Sequence, residues 1–330
     1  MMDTLIERFP AQLTESLQIG ENAGITAHTE PIYKVFVAGL GGSGIGANFV
    51  SEFISDECKI PYTVGKSYTI PAYVDNNTLA IVSSYSGNTE ETLSSFDLIK
   101  KTGAKIVVIS SGGKLIEMAK EEGYDYIELP DDWPSPRACL GYSLVQQLFV
   151  LKKLGFISGE SILAIRSSID LIKYNQEEIK TEAKEIAKKL YNKIPIIYTT
   201  DRMESVAMRL RQQINENAKL LCWHNVIPEM NHNELVGWKD KNDHFAVLYL
   251  RNNDDLNRNQ VRMDINKRII SKCTDNIIEA KSRGKNLIEK SIYFVHLGDW
   301  VSWYLSQLRG VDSIEVNVID YLKSELAKLD

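Results

Sequence analysis

Thr78-Leu79-Ala80-Ile81-Val82-Ser83-Ser84-Tyr85-Ser86-Gly87-Asn88-Thr89-Glu90-Glu91-Thr92 is the stretch from which the architecture can be read. The continuous apolar run ending at Val82 has the pattern of a strand buried on both faces, as in a parallel sheet. The Thr, Glu and Leu residues after Thr89 have the pattern of a helix. Five Ser/Thr side chains and one Gly fall within the ten residues from Ser83 to Thr92. Hydroxyls, backbone N–H groups and a helix N-terminus together favour a dianionic group such as phosphate. No Lys or Arg occurs from Ser83 to Leu98, so dipoles and neutral donors would hold such an anion. The competing reading is an ordinary capped turn, because Ser and Thr are the usual N-caps.

Working outward, Ile32 to Ala38 reads as an earlier buried strand, followed by Gly39-Leu40-Gly41-Gly42-Ser43-Gly44-Ile45-Gly46 and a helix to about Ile54. Gly39, Gly41 and Gly44 match GxGxxG, but a dinucleotide site needs an acidic residue at the end of the next strand. Lys59 to Val64, the next strand candidate, ends at Gly65-Lys66-Ser67 without one. Further strands at 104–109 and 124–127 alternate with helices near 89–101 and 113–122, the pattern of a parallel sheet wrapped by helices. Ligands of such sheets bind outside the carboxyl ends of the strands, where the glycine turn and the hydroxyl turn both fall. Two turns therefore converge on one crevice.

Composition sets the bounds. A chain of 330 residues with net charge −6 has room for two domains and nothing global that draws it to nucleic acid or an acidic membrane. Cys58, Cys139, Cys222 and Cys273 form no CxxC pair, which argues against a zinc knuckle or a disulfide framework and fits a reducing cytoplasm. Residues 3–22 read as an amphipathic opening helix rather than a signal segment, and no apolar run is long enough to cross a membrane. Residues 158–190 are highly charged and read as a solvated helix connecting two domains, with the boundary near residue 155.

Beyond that boundary the plan repeats, with strands expected at 194–199, 245–250 and near 276–280. Arg137, in Pro134-Ser135-Pro136-Arg137, opens a long helix where a cation opposes the dipole, so it either faces solvent or has an anionic partner. In the helix after Asp201, Glu216 shares a face with Arg209, Gln212 and Gln213 and alone would count as a surface residue. Cys222 and His224 lie one residue apart on a strand, a spacing better explained by core packing than by a metal site. His232 stands between Asn231 and Asn233, where capping explains the asparagines but not a titratable group. The aromatic helix from Leu287 to Leu308 reads as core or subunit interface, and a last helix runs through Leu329.

Gly41–Gly44 and Ser84–Thr89 together resemble the SIS (sugar isomerase) domain family. Pro134-Ser135-Pro136-Arg137, Gln213-Ile214-Asn215-Glu216-Asn217, Asn231-His232-Asn233-Glu234 and Asp320-Tyr321-Leu322-Lys323, in that order, resemble the bifunctional phosphoglucose/phosphomannose isomerases. The resemblance covers nearly the whole chain. It implies an α/β chain of two doubly wound SIS-type domains, each a parallel sheet flanked by helices, at 1–155 and 156–330. It further implies that Gly42, Ser43, Ser84, Ser86 and Thr89 bind the substrate phosphate, and that Glu216 moves the proton between C1 and C2. Arg137 would stabilise the enediolate, and His232 and Lys323 would assist ring opening; Lys328 lies near enough to compete for the last assignment. In that family the histidine comes from the partner subunit, implying a homodimer with shared sites, hexose 6-phosphate substrates, and neither metal nor cofactor.

The chemistry is coherent, since an aldose–ketose isomerisation needs a carboxylate base, a cation near the developing oxyanion and an acid/base group for the ring oxygen. Two rivals exist. A sugar-phosphate sensor would be expected to carry a DNA-reading module, for which the residues before the first strand are too few and too acidic. An amidotransferase-like isomerase would need a glutaminase domain.

Overall fold

A computed structural model describes residues 1–329. The chain divides into two compact units: residues 7–174 with 283–293 form the first, and residues 1–6, 175–282 and those from 294 onward the second.

The N-terminal segment is two helices, α1 (Met2–Glu7) and α2 (Phe9–Asn22), rather than the single helix expected. Pro10 stands in the first turn of α2, where its missing N–H costs nothing and its ring prevents continuation from α1. The first unit then runs β1 (Lys34–Ala38), α3 (Gly41–Ile54), β2 (Tyr62–Gly65), β3 (Thr78–Ser83), α4 (Glu90–Ile99), β4 (Lys105–Ser110), α5 (Gly113–Glu122) and β5 (Asp125–Glu128). All five strands are parallel, in the order β2-β1-β3-β4-β5. Every residue of β3 is buried, as its unbroken apolar run requires. Phe36, Val82, Phe96, Val108 and Leu115 are among the residues that form the core on one face. A single 3₁₀ turn, Pro136–Ala138, leads into α6 (Leu140–Lys153), so Arg137 lies just ahead of that helix rather than in its first turn.

α7 (Glu160–Leu190) spans the charged region and is not simply solvated. Ile165, Ile172, Ile179, Ala183, Ala187 and Leu190 are fully buried, three to seven residues apart. Glu and Lys dominate the composition because they fill the outer face, while the isoleucine stripe is packed.

The second unit contains β6 (Ile194–Thr200), α8 (Glu204–Ala218), β7 (Trp223–Ile227), β8 (Phe245–Arg251), α9 (Asn257–Ile270), β9 (Ile277–Lys281), α10 (Leu287–Arg309, which begins in the first unit) and α11 (Asn317–Leu326). Its four parallel strands run β7-β6-β8-β9. Both sheets reverse their winding beside the first strand, between β1 and β3 and between β6 and β8, and such reversals open a crevice at the carboxyl ends. Among the described residues, no helix is long and apolar enough to cross a membrane.

Candidate active site

At the switch point of the first sheet the glycine turn and the hydroxyl turn touch. A Cβ on Gly39 would stand 2.8 Å from the Ser83 carbonyl oxygen, so the two turns can pass this closely only with glycine there. That requirement accounts for Gly39 without a dinucleotide. Ser84 Oγ lies 2.8 Å from Thr89 Oγ1, which draws the hydroxyl turn into a closed cup. Thr89 occupies the N-cap position of α4 and Leu40 that of α3, yet neither makes a side-chain cap hydrogen bond. Neither helix N-terminus is capped by its N-cap side chain; Ser43 lies in the first turn of α3, and Ser84, Ser86 and Thr89 lead into α4. Asn88 Oδ1 accepts from Lys114 N at 3.0 Å and holds the turn against α5.

Two groups join this crevice that sequence reasoning passed over. Lys66, just after β2, brings its Cε within 3.2 Å of where a Gly44 Cβ would stand, which puts the stem of a cation beside the glycine turn. The signal was its position at the carboxyl end of a strand adjoining β1. Gln12 is buried in α2; its Nε2 donates to Ala138 O at 2.9 Å and its Oε1 accepts from Gly141 N at 2.8 Å. It thereby fixes the turn that carries Arg137. No local pattern marks a glutamine on the apolar face of an opening helix for that task.

Arg137 itself is buried, with 9% of its surface exposed, so the solvent-facing alternative is ruled out. Its turn abuts the glycine turn, since a Cβ on Gly42 would meet Pro136 O at 3.2 Å. Ser143 of α6 ties the arrangement together, with its Oγ 3.2 Å from Ser83 Oγ and 3.4 Å from Ser43 O. The first unit thus brings Gly42, Ser43, Ser84, Ser86, Thr89 and Arg137 into one neighbourhood.

Glu216, His232 and Lys323 belong to the second unit, on three separate elements. Glu216 lies half-buried in the last turn of α8. The face it shares with Arg209 and Gln213 is locked to α10: Arg209 Nη2 and Gln213 Nε2 donate to the two oxygens of buried Asp299 at 2.8 and 2.9 Å. Burial pushes the Asp299 carboxyl upward, opposed by the Arg209 charge and the two hydrogen bonds. Asn217 Nδ2 adds a 2.8 Å bond to Ser302 Oγ. Leu221 lies beyond the end of α8 and is exposed.

His232 is exposed, at the end of one 3₁₀ turn (Glu229–His232) and before another (Glu234–Gly237). Its neighbours are not exposed caps alone. Asn233 caps the second turn through Glu234 N, but Asn231 donates to Asn266 Oδ1 and accepts from Arg262. Glu234 accepts from Tyr198 Oη at 2.5 Å, Trp223 Nε1 at 3.1 Å and Asn225 Nδ2 at 2.6 Å. The imidazole is thus presented from a segment bolted to β6, β7 and α9 on both sides. Burial pushes the Cys222 thiol, just ahead of β7, up to about 12, keeping it protonated, and its sulfur accepts from Asn215 Nδ2 at 3.8 Å. Lys323 is exposed on α11, a helix with no buried residue; Lys328 lies beyond the end of that helix and pairs with Glu325 at 2.6 Å.

Residues 179–326 match the family described as the bacterial phospho-glucose isomerase C-terminal SIS domain. The chain is 40% identical to a bifunctional phosphoglucose/phosphomannose isomerase of Caldicellulosiruptor bescii, over 98% of each chain. It is 38% identical to the protein of the same name from Aquifex aeolicus, over 90% of this chain and 92% of that one. The fold is similar to the C-terminal domain of glucosamine-fructose-6-phosphate aminotransferase from Francisella tularensis, with a TM-score of 0.74 at 14% identity, covering 94% of this chain and 97% of that one.

Proposed function

The chain belongs to the bifunctional phosphoglucose/phosphomannose isomerase family, and from that premise we propose that it interconverts glucose 6-phosphate and mannose 6-phosphate with fructose 6-phosphate through a cis-enediolate. The observation that carries this reading is the pair of helix N-termini without side-chain caps at the β1/β3 switch point, ringed by Ser43, Ser84, Ser86 and Thr89. Such a cradle suits a phosphate dianion, and Gly42 lets the glycine turn pass close to the Pro136 carbonyl of the Arg137 turn.

With the phosphate held there, binding energy remote from C1 and C2 orients the reacting carbons. Glu216 takes the proton from one carbon and returns it to the other. Arg137 offsets the charge that builds on the enediolate oxygens, and its burial strengthens the effect by excluding water. His232 and Lys323 assist ring opening, in which the ring oxygen gains a proton while the anomeric hydroxyl gives one up and becomes the carbonyl. Mannose and glucose 6-phosphates differ only at C2, so one planar enediolate serves both. In this scheme residues 1–155 anchor the substrate and residues 156–330 supply the base and the ring-opening groups.

We assign a homodimer in which His232 serves the partner's site. Exposed Val318, Tyr321 and Leu322 on α11, and exposed Val236 four residues after His232, provide apolar surface of the kind a subunit interface covers. Cys58, Cys139, Cys222 and Cys273 form no disulfide, which fits a cytoplasmic enzyme.

The test is to supply fructose 6-phosphate in the presence of EDTA and follow glucose 6-phosphate and mannose 6-phosphate separately. Both are expected to form. Absence of both sinks the enzyme reading and leaves a sugar-phosphate sensor, whereas inhibition by EDTA sinks the metal-free mechanism. Glu216→Gln should keep hexose-phosphate binding and lose turnover by at least about a hundredfold, the scale of a general base.

A further inference from the structure

α8 ends at Ala218, and the next residue, Lys219, holds the left-handed conformation with φ +53° and ψ +41°. That position after a helix normally selects glycine, because a Cβ is strained there. Within the described residues only Asn192 shares such a φ among non-glycines. A lysine kept at a strained glycine position points to a use for its side chain.

The use is visible in its bonds. Lys219 Nζ donates to the carbonyl oxygen of Glu216 at 2.6 Å and to the carbonyl oxygen of Glu315 at 2.6 Å. The Glu315 carboxylate lies 4.0 Å from the same ammonium. Arg309 of α10 takes the next places on the helix end, with Nε bonded to Ala218 O at 2.8 Å and Nη2 to Lys219 O at 3.4 Å. Cations here also complement the negative end of the helix dipole. The ammonium therefore reaches back to the backbone of Glu216 and outward to the segment that leads into α11. Those are the two places in the second unit that carry Glu216 and Lys323.

We infer that Lys219 is a positioning residue: it clamps the last turn of α8 to the approach of α11, so that Glu216 and Lys323 keep a fixed relation during turnover. In this role Lys219 acts through the backbone of Glu216, to whose carbonyl oxygen its ammonium is bonded. Because a carboxylate base must sit within a fraction of an ångström of the transferred proton, loosening that turn costs turnover rather than phosphate binding, which is made in the other unit. The inference rests on the assignment of Glu216 as the base.

Lys219→Gly separates this role from a structural one, because glycine relieves the backbone strain while removing the ammonium. The Tm of Lys219→Gly is expected to be unchanged or higher, with kcat on fructose 6-phosphate lowered at least about tenfold and KM within about twofold of wild type. Lys219→Arg, which keeps a cation within reach, should recover most of the lost kcat. Wild-type kcat in Lys219→Gly beside an inactive Glu216→Gln overturns the positioning role and leaves the base intact. Full activity in Glu216→Gln overturns the base and with it this inference. A fall in Tm in Lys219→Gly that parallels the lost activity, without recovery in Lys219→Arg, reduces Lys219 to a structural cap.

Discussion

Gly87 meets two demands at once. Its φ is +67°, and a Cβ there would fall 1.8 Å from the Gly112 carbonyl oxygen, a contact no rotation relieves because both partners are backbone. Gly87→Ala must therefore push the Ser84–Thr89 turn away from the β4 turn, moving the hydroxyls of the cradle. The expected result is a rise of about tenfold or more in KM for fructose 6-phosphate, with a smaller change in kcat, measured by steady-state kinetics. An unchanged KM would remove this turn from the phosphate site. Gly87 was legible in the sequence as part of a turn. Its clash partner was not, since Gly112 lies well beyond it in the chain and meets it only through the pairing of β3 with β4.

At the scale of the element, α10 shows why a helix can be read correctly in kind and still conceal its chemistry. Its Tyr293, Phe294 and Trp300 are buried, as an aromatic core helix requires, but so are His296 and Asp299. Trp300 Nε1 donates to His296 Nε2 at 3.2 Å, which commits that nitrogen to accepting and the proton to Nδ1. Burial, helped by the Lys180 charge, pulls the His296 pKa down to about 3. Above about pH 6.5 the imidazole is neutral both folded and unfolded, so it costs nothing there. As pH falls from that value toward 3, the unfolded chain binds a proton that the folded chain refuses, and stability is lost. Asp299, raised by burial, acts in the opposite sense but is common to both proteins in the comparison. The stability lost by wild type between pH 7 and pH 4.5 should exceed that lost by His296→Leu by about 2–3 kcal/mol, measured by urea unfolding at the two pH values. Equal losses would mean that His296 is already charged in the folded protein.

At the scale of the whole molecule, the reading divides labour between two units and, in the proposed dimer, between two chains. If His232 serves the partner's site, a hybrid of Glu216→Gln and His232→Ala chains contains one complete site. Random exchange makes half the dimers hybrid, so mixing two inactive proteins should restore about a quarter of wild-type activity. No recovery, despite exchange of chains verified by differently tagged copies, would mean that each site draws its histidine from its own chain. The strand-turn-helix order, the glycine and hydroxyl turns and the motif-bearing segments were all readable from the sequence alone, because each depends on neighbours within about ten residues: apolar runs, turn glycines, helix-start hydroxyls. Tertiary structure alone decided that Lys66 leans on Gly44 and that Gln12 fixes the Arg137 turn. It alone revealed that Asp299 pairs with Arg209 and that Lys219 spans from Glu216 to Glu315. These are single side chains meeting partners far along the chain, and periodicity, which records only which face is buried, does not encode which polar groups will meet across it.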